Sequence, residues 1–249
     1  MKLFGLIGYP LSHSLSEEYF TQKFRKLGVD HQYKLFPLEN INKFRQLIEN
    51  NPHLAGLNVT LPHKQTIIPL LDDLDEQARE IGAVNTILID RKDEKIFCSG
   101  YNTDAYGFDR SLGNHIQAAH SKALVLGSGG ASKAVCYVLK NRGIDYTLVS
   151  RKKTGSNTIS WLEINKHILN QHKLLINTTP VGMSPAVCEC PLLPYAYITV
   201  DHLVFDLIYN PEQTTLLERC KNHGARTVNG LEMLHYQAEK AWEIWEGGK

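Results

Sequence analysis

Apolar residues recur along the chain with two alternating periods, one typical of strands and one typical of helices. In the first part of the chain this alternation predicts a βαβαβ series, followed by a β-hairpin whose apolar runs are separated by a short polar segment. The predicted strands span residues 3–8, 33–37, 54–59, 84–90 and 95–99, and the predicted helices span about 16–27 and 41–50.

A second series of strands and helices begins at Lys122. Strands that alternate with helices predict a parallel sheet with helical crossovers. The sequence therefore predicts an α/β fold, with an N-terminal α/β domain and a Rossmann-like, doubly wound second domain. The predicted strands of the second domain span 123–126, 146–149, 174–176 and 203–207, and its predicted helices lie near 131–141, 159–169 and 214–223.

A long amphipathic segment, residues 231–246, ends this series. Its apolar side chains fall on one helical stripe, which predicts a helix that contributes to a core. The stripe consists of Leu231, Leu234, Ala238, Ala241, Trp242 and Trp245.

Charge and cysteine content narrow the expected partners. The 249 residues carry 27 Lys+Arg and 26 Asp+Glu, so electrostatics gives no support for a nucleic-acid or membrane surface, and local groups would have to hold any anionic small-molecule substrate. The apolar runs are too short for a signal peptide or a membrane span, which predicts a cytoplasmic protein. Five cysteines, of which only Cys188 and Cys190 are close, predict neither a disulfide framework nor a zinc site. The sequence leaves monomer and homodimer open.

Two residues with acid/base chemistry each follow a strand-like run. Lys64 ends the segment Gly-Leu-Asn-Val-Thr-Leu-Pro-His-Lys, and Asp104 ends Gly-Tyr-Asn-Thr-Asp. A lysine in such a turn is, taken alone, more often a solvated surface charge. Paired with a carboxylate, it could transfer a proton during a reaction.

A glycine cluster lies between a predicted strand and a predicted helix. Backbone without side chains, followed by helix-terminal amides, suits the pyrophosphate of a dinucleotide. Gly127 and Gly129 match the dinucleotide fingerprint, whereas Ser132 occupies its third glycine position. The cluster consists of Gly127, Ser128, Gly129, Gly130 and Ala131.

The next strand ends in a basic segment, Ser150, Arg151, Lys152 and Lys153. An NAD-binding protein normally offers Asp or Glu there to the adenosine ribose. Cations instead suit a 2′-phosphate, and Arg151 could also stack on adenine. The segment therefore predicts NADP as the cofactor, with an exposed basic loop of no binding role as the alternative.

Ser14 and Ser16 are alternate residues of a segment that leads into the first predicted helix. They could be turn and helix N-cap residues. They could also bind the two oxygens of a carboxylate, because alternate residues point the same way and a helix N-terminus favours negative charge.

These segments, together with Gly8-Tyr9-Pro10, resemble the shikimate dehydrogenase family, which includes a quinate/shikimate dehydrogenase branch. The resemblance extends nearly end to end, and the matching segments follow the family's order. The further segments are 82–86 (Gly-Ala-Val-Asn-Thr), 177–183 (Asn-Thr-Thr-Pro-Val-Gly-Met), 206–211 (Asp-Leu-Ile-Tyr-Asn-Pro) and 230–234 (Gly-Leu-Glu-Met-Leu), followed by Gln237.

The resemblance implies roles for individual residues. It implies that Lys64 is catalytic and that Asp104 is its paired carboxylate. It implies cofactor contacts from the glycine cluster, from the basic segment at Ser150, Arg151 and Lys152, and from Leu207 and Gly230 near the nicotinamide, with Met183 beside them. The implied substrate contacts are Ser14, Ser16, Thr60, Asn85, Asp104, Tyr209 and Gln237.

The resemblance also implies domain boundaries and a reaction. Residues 1–103, completed by a C-terminal helix at 231–249, would bind substrate, residues 104–230 would bind NADP, and the active site would lie in a cleft. The implied reaction is the NADP-dependent reduction of 3-dehydroshikimate to shikimate. The alternatives are a quinate/shikimate dehydrogenase that uses NAD, and a ligand sensor without catalytic activity.

Three residues depart from the family's pattern. Glu17 stands where proline is usual after the second serine, Phe20 where histidine is usual, and Glu232 where glycine is usual. Glu17 adds negative charge near the expected carboxylate site. His13 is expected to be a hydrogen-bonded structural residue.

Overall fold

The computed structural model describes residues 1–11, 14–93, 95–152 and 155–247. The chain divides into two compact units. The first unit comprises Met1–Thr103 and Ala238–Lys249, and the second unit comprises Asp104–Gln237. Each unit contains a six-stranded sheet.

The first unit has a mixed sheet with helices α1 (Ser16–Leu27), α2 (Phe44–Glu49) and α3 (Glu76–Ile81). Its strands are β1 (Lys2–Gly8), β2 (His31–Pro37), β3 (Leu54–Val59), β4 (Asp73–Leu74), β5 (Thr86–Lys92) and β6 (Lys95–Tyr101). The strand order is β2-β1-β3-β5-β6-β4. β1 runs parallel to both of its neighbours, and β5 pairs antiparallel with β3 and β6.

The second unit has a parallel sheet of order β12-β11-β10-β7-β8-β9. Its strands are β7 (Lys122–Leu126), β8 (Asp145–Val149), β9 (Thr158–Ile159), β10 (Leu174–Asn177), β11 (Leu203–Asp206) and β12 (Arg226–Val228). Its helices are α4 (Thr103–Gly113), α5 (Gly130–Asn141), α6 (Lys166–Gln171), α7 (Thr215–Asn222) and the start of α8 (Leu231–Trp245).

This order confirms the predicted doubly wound fold, because the chain proceeds outward from β7 to one edge and then returns to build the other edge from β10. Such a sheet binds ligands where the order reverses, at the carboxyl ends of the two central strands. In this unit those ends are Leu126 of β7 and Asn177 of β10. In the described part of the chain, no helix is both long and apolar enough to cross a membrane.

One predicted helix, at 159–169, is wrong in its first part and correct only from residue 166. β9 and a short 3₁₀ turn, Trp161–Glu163, occupy its first part, and α6 begins only at Lys166. Asn165 adopts an extended conformation, and its side chain accepts hydrogen bonds from the amides of His167 and Ile168. The asparagine therefore caps α6 instead of continuing a helix, a competition that the apolar period does not register.

The hairpin of β5 and β6 is confirmed, but it does not close the first sheet as predicted. β4 pairs with β6 beyond the hairpin, with Asp73 opposite Ser99 and Leu74 opposite Gly100. The short elements β4 and α3 escaped prediction, and so did β12 and the eleven-residue α4. Asp75 caps α3 by accepting from the Ala78 amide.

An aromatic cluster joins α1, β1, β2 and the end of α8 in the first unit. Phe20 stacks on Tyr33 with ring centroids 4.6 Å apart, and Phe4 stacks on Trp245 at 4.8 Å. The indole Nε1 of Trp245 donates to the Ile87 carbonyl at 3.0 Å. Of the predicted stripe on α8, Ala238, Ala241 and Trp245 are buried, whereas Leu231, Leu234 and Trp242 are only partly buried.

A carboxylate is buried at the end of β11 in the second unit. Asp206 accepts hydrogen bonds from Asn177 Nδ2, the Ile208 backbone amide and the Thr214 hydroxyl. Burial raises the pKa of Asp206 to about 6, because the three donors offset only part of the lost solvation. Burial, and then the charge on Asp206, raise the pKa of the Cys220 thiol on α7 to about 12.

We predict that Gly56→Ala destabilises the first unit. A Cβ at Gly56 on β3 would lie 2.3 Å from Nε1 of Trp245, so the indole must shift and weaken its bond to Ile87. Overpacking of this kind costs about 1–3 kcal/mol. Urea titration measures the loss. Gly155→Ala is the control, because a Cβ there meets no heavy atom within 4 Å. Equal unfolding midpoints for the two variants would contradict the prediction.

We also predict that stability depends on pH through Asp206. Its pKa is higher in the folded chain than the ordinary 3.8, so the folded state binds this proton more tightly than the unfolded state does. The free energy of unfolding therefore falls as pH rises from about 4 to about 6. Asp206→Asn removes this titration. Between about pH 4 and pH 6 the free energy of unfolding of the variant should therefore rise by on the order of 2 kcal/mol relative to that of wild type. Urea titrations at successive pH values measure this difference.

Asp72→Asn is the control for this pH dependence. Burial acts to raise the pKa of Asp72, but hydrogen bonds from Arg45 and from the Cys98 amide outweigh it and hold the pKa below its usual range. The stabilisation from a lowered pKa is fully present above the ordinary value and is lost only at lower pH. The difference between wild type and Asp72→Asn should stay flat between pH 4.5 and 6.5. An equally flat difference for Asp206→Asn would overturn the prediction.

Candidate active site

In the first unit, the carboxyl ends of the parallel strands β1 and β3 lie next to each other. Ile7 of β1 lies opposite Val59 of β3, and the Thr60 amide donates to the Ile7 carbonyl at 2.9 Å. Gly8 makes the close approach possible, because a Cβ there would lie 2.4 Å from Cγ2 of Thr60. Thr60 therefore lies beside the end of β1.

Ser14 and Ser16 lie at the start of α1 and are both partly buried. The Ser14 hydroxyl accepts from the Ser16 amide at 3.2 Å, which confirms a turn role for Ser14. The N-cap position of α1 falls on Leu15, between the two serines, and the Ser14 hydroxyl satisfies the first amide of the helix. Both serines stand next to a helix N-terminus that favours negative charge.

Asn85 is held by a buried hydrogen-bond network. Its Oδ1 accepts from the Thr103 amide at 2.6 Å, and its Nδ2 donates to the Thr103 hydroxyl at 2.9 Å. The Thr86 hydroxyl donates to Asn85 and accepts from Asn58 Nδ2, and Asn58 accepts from the Tyr33 hydroxyl at 2.8 Å. All five side chains are buried. Polar residues inside apolar strands were the available signal for this network, which the sequence analysis missed.

Lys64 lies in the turn that follows β3. Its carbonyl accepts from the Val84 amide at 2.7 Å, which ties this turn to the residue before Asn85. The preceding His63 is buried, with its Nε2 2.5 Å from the Leu38 carbonyl oxygen. The backbone around Lys64 is therefore anchored at two points, while its side chain stays partly exposed.

In the second unit, Asp104 and Gln237 lie on helices that pack closely. Asp104 is the second residue of α4 and is buried. Gly107 allows α8 to approach, because a Cβ there would lie 2.6 Å from the Met233 carbonyl oxygen and 3.0 Å from Cβ of Gln237. Gln237 Nε2 donates to the Leu234 carbonyl at 3.0 Å.

The glycine cluster after β7 has the conformation that a pyrophosphate requires. Gly127 has φ +109°, and a Cβ there would lie 2.8 Å from the Thr178 hydroxyl oxygen. Only glycine combines that φ with so little space. Its amide donates to the Val149 carbonyl at 2.9 Å, which anchors the loop to β8.

The same cluster opens α5 without a side-chain cap. Gly129 is the N-cap residue, and Gly130 and Ala131 are the first residues of the helix. Amides at an uncapped helix start can bind an anion, so these residues fit a dinucleotide phosphate. Ser132, at the third glycine position, is buried and donates its hydroxyl to the Gly129 carbonyl at 2.7 Å. The hydroxyl stabilises the loop that it follows.

The basic segment after β8 is anchored by serine hydroxyls. Ser150 Oγ is 2.9 Å from Ser128 Oγ, and it accepts from the Lys152 amide at 3.3 Å. Arg151 and Lys152 are exposed, so their cationic groups are accessible to a ligand phosphate. Lys153 and His13 lie outside the described residues.

The two residues predicted near the nicotinamide are in contact. Leu207 donates its amide to the Asn177 carbonyl, and Gly230 donates its amide to the Ile208 carbonyl at 2.9 Å. A Cβ at Gly230 would lie 2.0 Å from the Leu207 carbonyl oxygen, so no other residue fits this crossing. Tyr209 follows Ile208 in the chain and is partly buried.

Two of the three departures from the family pattern, Phe20 and Glu232, have structural roles. Glu17 is an exposed residue of the first turn of α1, and Phe20 is buried in the aromatic cluster. Glu232, in the first turn of α8, accepts from the Ser111 hydroxyl at 2.7 Å and from Asn114 Nδ2 at 2.8 Å. Glu232 thus ties α8 to the last turns of α4.

The predicted residues fall into one group in each unit. The first-unit group is Ser14, Ser16, Thr60, Lys64 and Asn85, and the second-unit group is Asp104, Tyr209 and Gln237 together with the glycine cluster, the basic segment, Leu207 and Gly230. The structure adds two pairs that sequence patterns did not single out, Asn58 with Tyr33 and Asn177 with Asp206.

Comparison with known proteins identifies relatives of this arrangement. Residues 6–87 match the family model "Shikimate dehydrogenase substrate binding domain". The "Shikimate dehydrogenase (NADP(+))" of Halothermothrix orenii is 39% identical over an alignment 268 positions long, gaps included, and the alignment covers 98% of this chain and 91% of that protein.

Solved structures agree with these sequence matches. Shikimate dehydrogenase 1 of Peptoclostridium difficile superposes with a TM-score of 0.87 at 37% identity, covering 100% of this chain and 93% of that one. Shikimate 5-dehydrogenase of Thermus thermophilus, solved with NADP(H) and shikimate, superposes with a TM-score of 0.84 at 30% identity. The superposition covers 99% of this chain and 94% of that one. Identity at this level over almost the whole length establishes common descent, and the chain belongs to the shikimate dehydrogenase family.

Proposed function

We propose that this protein is an NADP-dependent shikimate dehydrogenase, which reduces 3-dehydroshikimate reversibly to shikimate. The observation that carries the proposal is the anchored turn at Lys64. Its carbonyl accepts from the Val84 amide, beside the fixed side-chain amide of Asn85, so the turn that carries Lys64 lies next to a hydrogen-bonding amide. The names and ligands of the relatives support the choice of substrate and cofactor.

The first unit would bind most of the substrate. Ser14 and Ser16 would donate to the carboxylate of shikimate, beside the N-terminus of α1. Thr60 and Asn85 offer a hydroxyl and an amide, which suit the ring hydroxyls. The buried network around Asn85 would keep its amide oriented, so little conformational entropy would be lost on binding. Tyr209 and Gln237 are further proposed substrate contacts.

Lys64 would serve as the general acid in the direction of ketone reduction. Its ammonium would donate a proton to the ring oxygen as negative charge develops there, and would take the proton back in the oxidation of shikimate. Asp104 would accept a hydrogen bond from the same hydroxyl and orient it. Burial of Asp104 restricts its side chain, as an orienting role requires.

The second unit would hold the cofactor. The amides of Gly129, Gly130 and Ala131 would bind the pyrophosphate, and Leu207 and Gly230 would flank the nicotinamide. When bound, NADPH supplies the hydride that reduces the ketone, and NADP⁺ accepts it in the reverse direction. Arg151 would pair with the 2′-phosphate, because an exposed guanidinium matches phosphate geometry.

A direct test follows the absorbance of reduced nicotinamide during incubation with shikimate and NADP⁺. We expect reduction of NADP⁺ with shikimate, and much slower reduction with NAD⁺ or with quinate. Faster turnover of quinate with NAD⁺ would replace the proposal with the quinate branch. Ligand binding without turnover of any pair would indicate a sensor.

We predict that Lys64→Ala lowers kcat for shikimate oxidation by at least about a hundredfold, because general acid/base catalysis is worth 10² to 10⁴. Shikimate should still bind, since the serine and amide contacts remain. Steady-state kinetics and equilibrium binding measure the two effects. Lys92→Ala, at the exposed end of β5, is the control and should keep wild-type kcat. A kcat near wild type for Lys64→Ala would remove Lys64 from the mechanism.

We predict that Arg151→Ala raises the KM for NADP⁺ by about tenfold or more and leaves that for NAD⁺ nearly unchanged. A charge-assisted hydrogen bond to the 2′-phosphate is worth about 1.5–3 kcal/mol, and NAD⁺ lacks that phosphate. Lys221→Ala on α7 removes an exposed cation from the same unit and should change neither KM. Equal losses for both cofactors would mean that Arg151 supports the loop and does not select NADP.

A further inference from the structure

The pair Asn177 and Asp206 bridges the carboxyl ends of two neighbouring strands. Nδ2 of Asn177, at the end of β10, donates to Oδ1 of Asp206, at the end of β11, at 2.9 Å. Both residues have no exposed surface. Neither side chain belongs to the predicted substrate or cofactor contacts.

Asp206 fixes the chain that follows β11. Its Oδ1 accepts from the Ile208 amide at 3.1 Å, and its Oδ2 accepts from the Thr214 hydroxyl at 2.7 Å. Both ends of the segment from Ile208 to Thr214 are therefore hydrogen-bonded to the same carboxylate. This segment contains Leu207 and Tyr209, the residues predicted to contact the nicotinamide and the substrate.

Asn177 fixes the chain that follows β10. Its Oδ1 accepts from the Thr179 amide at 3.1 Å and from the Thr179 hydroxyl at 2.6 Å. The Thr179 hydroxyl oxygen accepts in turn from the Val181 amide at 3.3 Å. The neighbouring Thr178 lies against Gly127, where only a glycine fits.

Backbone hydrogen bonds connect these segments to Gly230. The Leu207 amide donates to the Asn177 carbonyl at 3.0 Å, and the Gly230 amide donates to the Ile208 carbonyl at 2.9 Å. The Ile208 peptide thus bonds to Asp206 on its amide side and to Gly230 on its carbonyl side. A shift of the Asp206 side chain would therefore displace Leu207 and Gly230, the two residues that are predicted to flank the nicotinamide.

We propose that Asn177 and Asp206 are positioning residues that hold Leu207, Tyr209 and Gly230 in place for the nicotinamide half of the cofactor. The proposal rests on the proposed NADP-dependent function and adds two residues that act without touching the ligand. A carboxylate suits this role because two oxygens can accept from several donors at once. Burial strengthens these bonds and lets the pair define one geometry for the segment after β11.

The test compares ligands with and without nicotinamide on the full-length protein. Asp206→Ala removes all three acceptor contacts, so we expect about a tenfold or larger fall in kcat and in affinity for NADP⁺. Affinity for 2′-phospho-ADP-ribose, which lacks the nicotinamide, should stay within about twofold of wild type. Isothermal titration calorimetry measures both affinities.

Asp206→Asn is the conservative variant that should restore function. Its amide oxygen can accept from Asn177 and Ile208, and its NH₂ group can donate to the Thr214 hydroxyl after that hydroxyl rotates. We expect kcat and NADP⁺ affinity within about threefold of wild type. If the Asp206→Ala variant does not fold, Thr179→Val replaces it in the test, because this substitution removes one hydroxyl from the network. It should lower the affinity for NADP⁺ more than the affinity for 2′-phospho-ADP-ribose.

Asp72→Ala is the control for a purely structural role. Asp72 in the first unit also accepts from a side chain, Arg45, and from a backbone amide, that of Cys98. The Asp72→Ala substitution should lower the melting temperature and leave the affinities for NADP⁺ and for 2′-phospho-ADP-ribose unchanged. The proposal is overturned if the two ligands lose affinity equally in the Asp206→Ala or Thr179→Val variants, or if only the melting temperature falls. Failure of wild type to bind NADP⁺ would instead refute the proposed function.

Discussion

Backbone amides that emerge from buried strands need hydrogen-bond acceptors, and this requirement shapes both groups of candidate site residues. Asn85 accepts from the Thr103 amide in the first unit, and Asp206 accepts from the Ile208 amide in the second. An unsatisfied buried amide costs about 1–3 kcal/mol. Among the described residues, no buried side-chain nitrogen or oxygen lacks a partner. The polar side chains at the strand ends are therefore oriented before any ligand binds.

Close approaches of the backbone add a second restriction at the same places. A Cβ would lie 2.4 Å from Thr60 at Gly8, 2.8 Å from Thr178 at Gly127 and 2.0 Å from the Leu207 carbonyl at Gly230. Glycine at these points lets two chain segments meet where a side chain would separate them. The segments that carry the candidate contacts are thus held by both hydrogen bonds and steric fit, which favours the preorganised geometry that catalysis requires.

Periodicity predicted the longer strands and most of the longer helices, because each depends on which residues face a core, but it missed α4 and the short strands β4, β9 and β12. It failed at 159–169, where the side chain of Asn165 competes with the helix. It also could not find the Asn177–Asp206 pair, since that contact depends on the parallel register of β10 and β11. The sequence signal was an asparagine and an aspartate, each at the end of an apolar strand. Knowing that the two strands are neighbours turns that signal into a prediction.

Two departures from the family pattern, Phe20 and Glu232, can be understood through the contacts that their side chains make. Phe20 stacks on the ring of Tyr33, while the Tyr33 hydroxyl bonds to Asn58 in the network that holds Asn85. Tyr33 thus has one face in the aromatic cluster and its polar tip in the network, as amphipathic aromatic side chains allow. Glu232 likewise directs its carboxylate to Ser111 and Asn114. Phe20 and Glu232 thus contact residues of the scaffold, and neither occupies the position of a candidate catalytic, substrate or cofactor contact.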